Sequence, residues 1–353
     1  MKQKEAGFHS IGVDVSKRTF DAALARRGQR FPSTPLRDLP WKTFARTEEG
    51  AKECLKWFAA STAKEGEAQV RIVMEATGNY SIELAAWLTG HDPNIILAIE
   101  NPARTKAFID SLGQRNKTDG LDARGLAFYG AERRPVPYEP LTPEREELRS
   151  LTRHRDTRVK ERTALKNRIQ ECCTSRTVRT MRTRQLRQLD RDIAKLETEM
   201  NRVIHKASSL REDFNLLLSI VGVGPITAAV VLAELGDLRR FERARQLSAF
   251  VGVSPRVYES GTSVRGRTRM CKRGNGRVRQ ALFLSAMATL RTKAPNTLKD
   301  THRRLCMEGK AGKSALGAVM RKQLILMRAV VVSGKPYDPL WKTQPRAEAK
   351  PGN

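Results

Sequence analysis

Four acids stand at positions where acids are expensive. Asp14 lies inside Ile11-Gly12-Val13-Asp14-Val15-Ser16-Lys17, at the centre of an apolar run with strand character. Glu75 closes a second such run, in Val73-Met74-Glu75-Ala76-Thr77-Gly78. A carboxylate in an apolar strand costs free energy unless it is paired or holds a cation. Asp119 and Asp122 follow in Lys117-Thr118-Asp119-Gly120-Leu121-Asp122-Ala123-Arg124. Their spacing of three puts both on one helix face, with Thr118 as the expected N-cap. Taken singly, each has an ordinary reading: a hairpin residue, a loop cap, two charges at a helix N-terminus. Taken together, their mutual repulsion calls for cations. Two Mg²⁺ ions about 3.5–4 Å apart would neutralise them and clamp the attacking and leaving oxygens of a phosphodiester displacement. Oxygen-only ligands favour Mg²⁺, or Mn²⁺, over zinc.

The elements that must position these acids alternate between strand and helix. Residues 9–26 read as a hairpin turning through Ser16-Lys17-Arg18, and residues 32–40 as irregular. Residues 48–63 have helical spacing through Ala51, Cys54, Leu55 and Phe58. Residues 70–74 form a buried-type strand, 81–88 a helix and 95–99 another strand. Residues 101–131 read as helical pieces around a polar loop, Gly113-Gln114-Arg115-Asn116-Lys117. Such alternation predicts an α/β layer over residues 8–134.

Pro135, Pro137, Pro140 and Pro143 then mark a linker. Between 144 and 206 proline and glycine are absent, and Leu186, Leu189, Ile193, Leu196, Met200 and Val203 recur by three and four. This is the seam of a coiled coil, predicting a proline-rich linker and a long basic coiled-coil arm over residues 135–210. An intramolecular hairpin, self-association and nucleic-acid contact are all open for it. Residues 211–335 read as a second, mostly α-helical domain and 336–353 as a flexible tail. The second domain opens with Ile220-Val221-Gly222-Val223-Gly224-Pro225 before a helix. That pattern is similar to a helix-hairpin-helix turn, whose glycines let amides approach phosphate; a purely structural turn gives the same pattern.

The charge balance names the class of partner. The chain has 353 residues, with 66 Lys and Arg against 38 Asp and Glu, a formal charge of +28. A self-repelling excess of that size suits a polyanion, because each neutralised phosphate releases counterions. The densest stretch is residues 256–279. There Arg256, Arg265, Arg267, Arg269, Lys272, Arg273, Arg277 and Arg279 face one acid, Glu259, among glycines 261, 266, 274 and 276. Aromatic residues are only 6% of the chain, which argues against extensive stacking on single-stranded bases. The five cysteines follow no zinc or disulfide spacing and fit a reducing cytoplasm. No secretory signal or membrane-spanning run is expected.

At these residues the sequence resembles the DEDD transposases of bacterial insertion sequences that are guided by a bridge RNA. The resemblance runs through Gly12 to Lys17, Glu75-Ala76-Thr77-Gly78, Asn101-Pro102, and Arg115 to Asp119 with Asp122-Ala123-Arg124. It continues through Gly222-Val223-Gly224, Ala249 to Gly252, Glu259-Ser260-Gly261 and Lys272 to Asn275. It spans about residues 8–335. It implies a RuvC-like, ribonuclease-H-type domain with Asp14, Glu75, Asp119 and Asp122 as metal ligands, a coiled-coil arm, and a C-terminal transposase domain. It also implies a serine nucleophile at Ser260; Ser263 is the rival, and only motif register prefers Ser260. Further implications are Mg²⁺ dependence, donor and target double-stranded DNA, a noncoding guide RNA, and a dimer or dimer of dimers. They extend to a bacterial cytoplasmic, nucleoid-associated location with no membrane contact. Expected nucleic-acid contacts are Arg115, Lys117, Arg124, Arg256, Arg265, Arg267, Arg269, Lys272 and Arg273. The four acids alone would equally serve a Holliday-junction-type nuclease using water, and a catalytically silent nucleic-acid-binding derivative is the third reading.

Overall fold

The structure is a computed structural model. It describes residues 8–64, 69–113, 119–171, 175–256, 259–260, 264–265, 269–293 and 296–338. The chain divides into two compact units, with the boundary between Pro140 and Leu141.

The first unit is a five-stranded mixed sheet between two pairs of helices. Strands β1 (Phe8–Val15), β2 (Thr19–Ala25) and β3 (Trp41–Ala45) are followed by α1 (Glu48–Thr62), β4 (Gln69–Glu75) and α2 (Asn79–His91). Then come β5 (Ile96–Glu100), α3 (Pro102–Ser111) and α4 (Asp119–Arg133). The sheet order is β3-β2-β1-β4-β5; β2 runs antiparallel to β1 and β3, while β4 runs parallel to β1 and β5. Alternation along the strands sorts the side chains onto two faces. Ile11, Val13, Phe20, Leu24, Ile72, Met74 and Leu97 pack under Ala51, Cys54, Leu84 and Leu88 of α1 and α2. Ala23, Ala25, Val73 and Ala98 pack under Phe108, Ala123, Leu126 and Ala127 of α3 and α4. The small residues of this second face let α4 lie directly on the sheet.

The hairpin, the helix over 48–63 and both parallel strands fall where sequence placed them. Strand β3 was not expected. Residues 32–40 are irregular, apart from a single 3₁₀ turn at Leu36–Asp38, but the chain re-enters the sheet at once. Only Phe44 of β3 is buried, so an edge strand of this kind carries almost no apolar signal. The N-cap expected at Thr118 lies outside the described residues.

The second unit is mostly helical. Helices α5 (Pro143–Gln170) and α6 (Arg176–Lys206) form an antiparallel hairpin. Arg155 pairs with Glu197 at 2.7 Å, Arg162 with Asp190 at 3.4 Å and Arg202 with Glu147 at 3.4 Å. Thr142 caps the first helix ahead of Pro143, and Ser175 caps the second. Of the expected seam, Ile193, Met200 and Val203 are buried, while Leu186, Leu189 and Leu196 are half-buried. Cys172 and Cys173 lie outside the described residues. The arm is not a separate body, since Leu148, Met200 and Val203 belong to one core with α7 (Ser208–Leu218) and α8 (Pro225–Leu235). That core also takes in α9 (Ala244–Val251), α10 (Gly276–Arg291), α11 (Thr297–Met307) and α12 (Gly312–Ser333). Between α9 and α10 run four two-residue strands: β6 (Pro255–Arg256), β7 (Glu259–Ser260), β8 (Val264–Arg265) and β9 (Arg269–Met270). They pair as β6 with β9 and β7 with β8. Among the described residues no helix is long and apolar enough to cross a membrane.

Candidate nucleic-acid-processing site

The site of the first unit is set by one close approach. A Cβ at Gly12 would stand 2.6 Å from the Leu126 carbonyl carbon, and closer still to Ala123 O and Ala127 N. Only glycine permits this contact. A Cβ at Gly130, farther along α4, would instead meet Ser10 of β1. As β1 runs from Ser10 to Gly12, α4 therefore runs backwards over it from Gly130 to Ala123. Asp14, two residues on and on the same face, lies at the level of the first turn of α4. That turn begins at Asp119 and carries Asp122.

The strand register extends this into a row of acids. Asp14 pairs directly with Asp21 of β2, and Asp21 with Thr43 of β3. Val13 pairs with Met74, so the next position along β4 is Glu75, which itself pairs with Glu100 of β5. These acids share the face of Gly12, Ala23, Val73 and Ala98, one pleat beyond them. The row sits at the carboxyl ends of parallel strands β1, β4 and β5, where open α/β sheets bind ligands. Thr105 of α3 donates to Glu75 Oε1 at 2.5 Å, and Thr43 donates to Asp21. Glu100 is nearly buried and pairs with Arg104 at 3.2 Å. Among the described residues no Lys or Arg pairs with Asp21 or Glu75, in a chain carrying 66 such cations.

Asp21, Glu100, Thr43 and Thr105 were not singled out by sequence. Their signal is the register: Asp21 is seven residues past Asp14 across a tight hairpin, and Glu100 ends β5 as Glu75 ends β4. Among the described residues no group of three His, Cys, Asp or Glu side chains is close enough to hold a metal ion. The expected four-acid cluster is thus not preassembled among Asp14, Glu75 and Asp122, and the Asp119 side chain lies outside the described residues. Neighbouring strands are about 4.8 Å apart, and carboxylates that repel one another spread along that spacing. The donor set is all oxygen and includes two acids that pair with no Lys or Arg among the described residues, which fits a hard divalent cation.

Arg124, expected at the nucleic-acid surface, is half-buried. Its Nε donates to Leu39 O at 2.9 Å, and its guanidinium lies 5.7 Å from the Trp41 ring centre. Burial lowers its pKa, partly offset by Asp38. Arg115 and Lys117 lie outside the described residues.

In the second unit Ser260 sits on β7, its backbone paired with Val264; its side chain, those of Ser263 and Arg265, and Arg267 lie outside the description. The flanks are described. Arg256, Arg269, Lys272 and Arg273 are exposed. The end of α9 and the start of α10 are locked backbone to backbone. Gly274 has φ +139°, and a Cβ there would meet Val251 C at 2.8 Å and Gly252 N at 2.9 Å. Asn275 caps α10, and its Nδ2 donates to Glu234 Oε2 at 2.9 Å. Glu234 also takes Arg153 at 2.7 Å, and Arg277 lies 3.9 Å away. Burial pushes the Glu234 carboxyl up, but the Arg153 and Asn275 hydrogen bonds and the Arg153 and Arg277 charges outweigh it and hold the carboxyl low. One buried acid thereby ties the arm to the end of the basic loop.

The glycine turn before α8 is packed into α10. Ser285 Oγ donates to Gly222 O at 2.8 Å and Thr289 Oγ1 to Val221 O at 2.9 Å. Gly222, at φ +83°, has no room for a Cβ beside Thr289. Nothing lies within 4 Å of a Cβ at Gly224.

Two family models match the chain. Residues 11–176 match that of a DEDD transposase family of the IS110 type. Residues 214–302 match that described as transposase IS116/IS110/IS902 family. The chain is similar to the pilin gene-inverting protein of Moraxella bovis, 29% identical over 330 residues, 93% of this chain and 97% of that protein. It is similar to the transposase for insertion sequence element IS1111A of Coxiella burnetii, 28% identical over 298 residues, 75% of this chain and 79% of that protein. A probable family 20 transposase of Pseudomonas aeruginosa is 33% identical over 109 residues, 31% of each chain.

Proposed function

Because the chain belongs to the IS110/IS116 family of insertion-sequence transposases, we propose that it cuts and rejoins DNA through Ser260, with Asp14, Glu75, Asp119 and Asp122 as the cation-holding acids. One observation carries the reading: a row of carboxylates at the sheet's carboxyl edge, level with the start of α4, in a chain of charge +28. On this reading residues 8–134 are a RuvC-like, ribonuclease-H-type catalytic domain, 135–210 the linker and arm, 211–335 the transposase domain and 336–353 a tail. Mg²⁺ or Mn²⁺ held by the acids would supply Lewis-acid stabilisation of charge developing on the phosphoryl oxygens.

The chain's own groups do the rest. Arg256, Arg269, Lys272 and Arg273, with Arg265 and Arg267, hold the phosphodiester by charge-assisted hydrogen bonds. The Ser260 hydroxyl attacks phosphorus; the Ser–O–P bond forms, the P–O bond to one strand end breaks, and that strand leaves as a free hydroxyl carrying a proton. A hydroxyl of the incoming strand then attacks phosphoserine, restoring a DNA phosphodiester and the Ser260 hydroxyl. Bond energy is conserved, so rejoining needs no nucleoside triphosphate. The same exchange gives inversion when the two sites lie in opposite orientation on one molecule. A relative named for inverting a pilin gene, aligned along 93% of this chain, favours that second outcome.

The scarcity of aromatics and the absence of a base-reading motif support delegation of site choice to a noncoding RNA that pairs with DNA, in a homo-oligomer. RNA sequenced from the purified protein checks this, and absence of a discrete species refutes it. For the chemistry, Ser260→Ala abolishes both strand exchange and a protease-sensitive protein–DNA adduct on denaturing gels, while Ser263→Ala keeps the adduct. Full exchange by Ser260→Ala refutes Ser260 as the nucleophile, whereas cutting without exchange or adduct by the unaltered protein favours the water-using nuclease.

A further inference from the structure

The α5–α6 hairpin divides at the Arg162–Asp190 pair into two electrostatically different halves. In the half near the core, the arginines of α5 are matched. Arg149 pairs with Glu146, Arg153 with Glu234, Arg155 with Glu197 and Arg158 with Glu161, all within 2.9 Å. Beyond the dividing pair, residues 163–189 hold one acid, Glu171. Lys166 and Arg168 of α5 and Arg176, Arg179, Arg184 and Arg187 of α6 are exposed there. Among the described residues none of these six makes an ion pair. Arg182 instead donates to Arg168 O at 2.5 Å, tying the two helices near the tip.

This arrangement is costly without a partner, since like charges on one helix destabilise it. The apolar seam does not require it, because the core-proximal arginines of α5 are each paired with an acid. At 100° per residue the four α6 arginines fall within one exposed face. They span twelve residues, eleven steps that cover about 16.5 Å at 1.5 Å per residue. Successive phosphates of one strand of B-form DNA advance about 3.4 Å along the axis, so the face matches roughly five consecutive phosphates. Residues 163–189 contain no aromatic residue, so there is no platform for stacking unpaired bases. Regularly spaced phosphates of a duplex, contacted without base readout, fit this surface.

We propose that the outer half of the α5–α6 hairpin is a DNA clamp that holds double-stranded DNA by its phosphate backbone, independently of sequence. The choice of DNA rests on the transposase reading. The test needs neither metal nor chemistry, so its failure is distinguishable from failure of the Ser260 mechanism. Full-length protein is titrated into a fluorescent 30-base-pair DNA duplex without divalent cation, and anisotropy is followed from 50 to 300 mM KCl. Substituting Arg176, Arg179, Arg184 and Arg187 together by Gln lowers the slope of log K against log salt by about 3–4, at about 0.9 per phosphate contact. At 150 mM salt it weakens binding on the order of 10²–10³-fold. A control with equal charge loss, Lys52, Lys56, Arg303 and Lys310 to Gln, changes the slope by less than about 1. Circular dichroism checks that both variants keep their helix content. An unchanged slope in the arm variant, an equal loss in the control, or a loss confined to an RNA duplex of the same length overturns the proposal.

Discussion

Gly12→Ala is the smallest change that tests whether α4 sets the site. The added methyl group would stand 2.6 Å from Leu126 C, and closer to Ala123 O and Ala127 N, where ordinary contact begins at 3.4 Å. The shortfall is at least ~0.8 Å, and all three obstacles are helix backbone, which cannot rotate aside as a side chain could. The helix must lift from the sheet, uncovering Ala123, Leu126 and Ala127, all fully buried. Overpacking costs ~1–3 kcal/mol where side chains can adjust; here about 3 kcal/mol or more is expected. The same lift moves Asp122 away from Asp14 and Glu75, and a misplacement of ~1 Å at a catalytic group costs ~10²-fold in rate. Three of the four tryptophans, Trp41, Trp57 and Trp87, lie in the first unit, so tryptophan fluorescence in urea reports chiefly on its unfolding. Gly90→Ala on α2, where nothing lies within 4 Å of the new methyl, stabilises by ~0.5–1 kcal/mol and leaves exchange intact. If Gly12→Ala costs less than 1 kcal/mol and keeps exchange, α4 does not rest on β1 as described.

Asp21→Asn removes a like charge directly opposite Asp14. Metal-free protein should gain ~0.2–1 kcal/mol, while the rise in melting temperature on adding Mg²⁺ shrinks; an unchanged Mg²⁺ response refutes a role for Asp21 beside the cation. Glu234→Gln breaks a buried acid away from Arg153 and Arg277 and should cost about 2–4 kcal/mol at pH 7, because Arg153 is partly exposed and the penalty for orphaning it is reduced. The folded pKa of Glu234 lies below its unfolded value of about 4.3. Its stabilisation is therefore complete above about pH 4.3 and is lost as pH falls through the lower folded value. Urea titrations followed by far-ultraviolet circular dichroism should show the gap between the two proteins narrowing as pH falls below about 4.3; a constant gap contradicts the assignment.

What could be read from sequence follows from where burial is. β1, β2, β4 and β5 are apolar on both faces and announce themselves. β3 buries one side chain and does not. Asp14 and Glu75 were recognisable because each interrupts or ends an apolar run, and Asp122 by its spacing of three from Asp119. Asp21 was not, because a carboxylate in Thr19-Phe20-Asp21-Ala22 alternates as an exposed strand residue should, and only the hairpin register reveals what it faces. Glu234 gave no signal, since an acid near the end of an apolar helix is ordinary until its three partners from α5 and α10 are seen. In the arm, helix was evident from the missing glycine and proline. The break between Gln170 and Arg176 was hidden for the same reason, as Ser175 caps the new helix without either residue.

The charge layout links these features into one constraint. A chain of +28 attracts nucleic acid over most of its surface, yet the acid row presents a local negative field at the one edge of the sheet suited to bind a ligand. A phosphodiester could approach Asp14, Asp21 and Glu75 only after their charge is offset, since anion–anion repulsion in a partly desolvated edge exceeds what it is in water. Among the described residues no lysine or arginine pairs with Asp21 or Glu75 to supply that offset. On the proposed reading, cation occupancy and DNA occupancy of this edge are coupled, and by linkage the coupling is reciprocal: DNA bound at the edge would raise the affinity of the acids for a divalent ion. On that reading the site would stay inert while either partner is missing, which suits an enzyme whose half-completed reaction would leave a broken DNA strand.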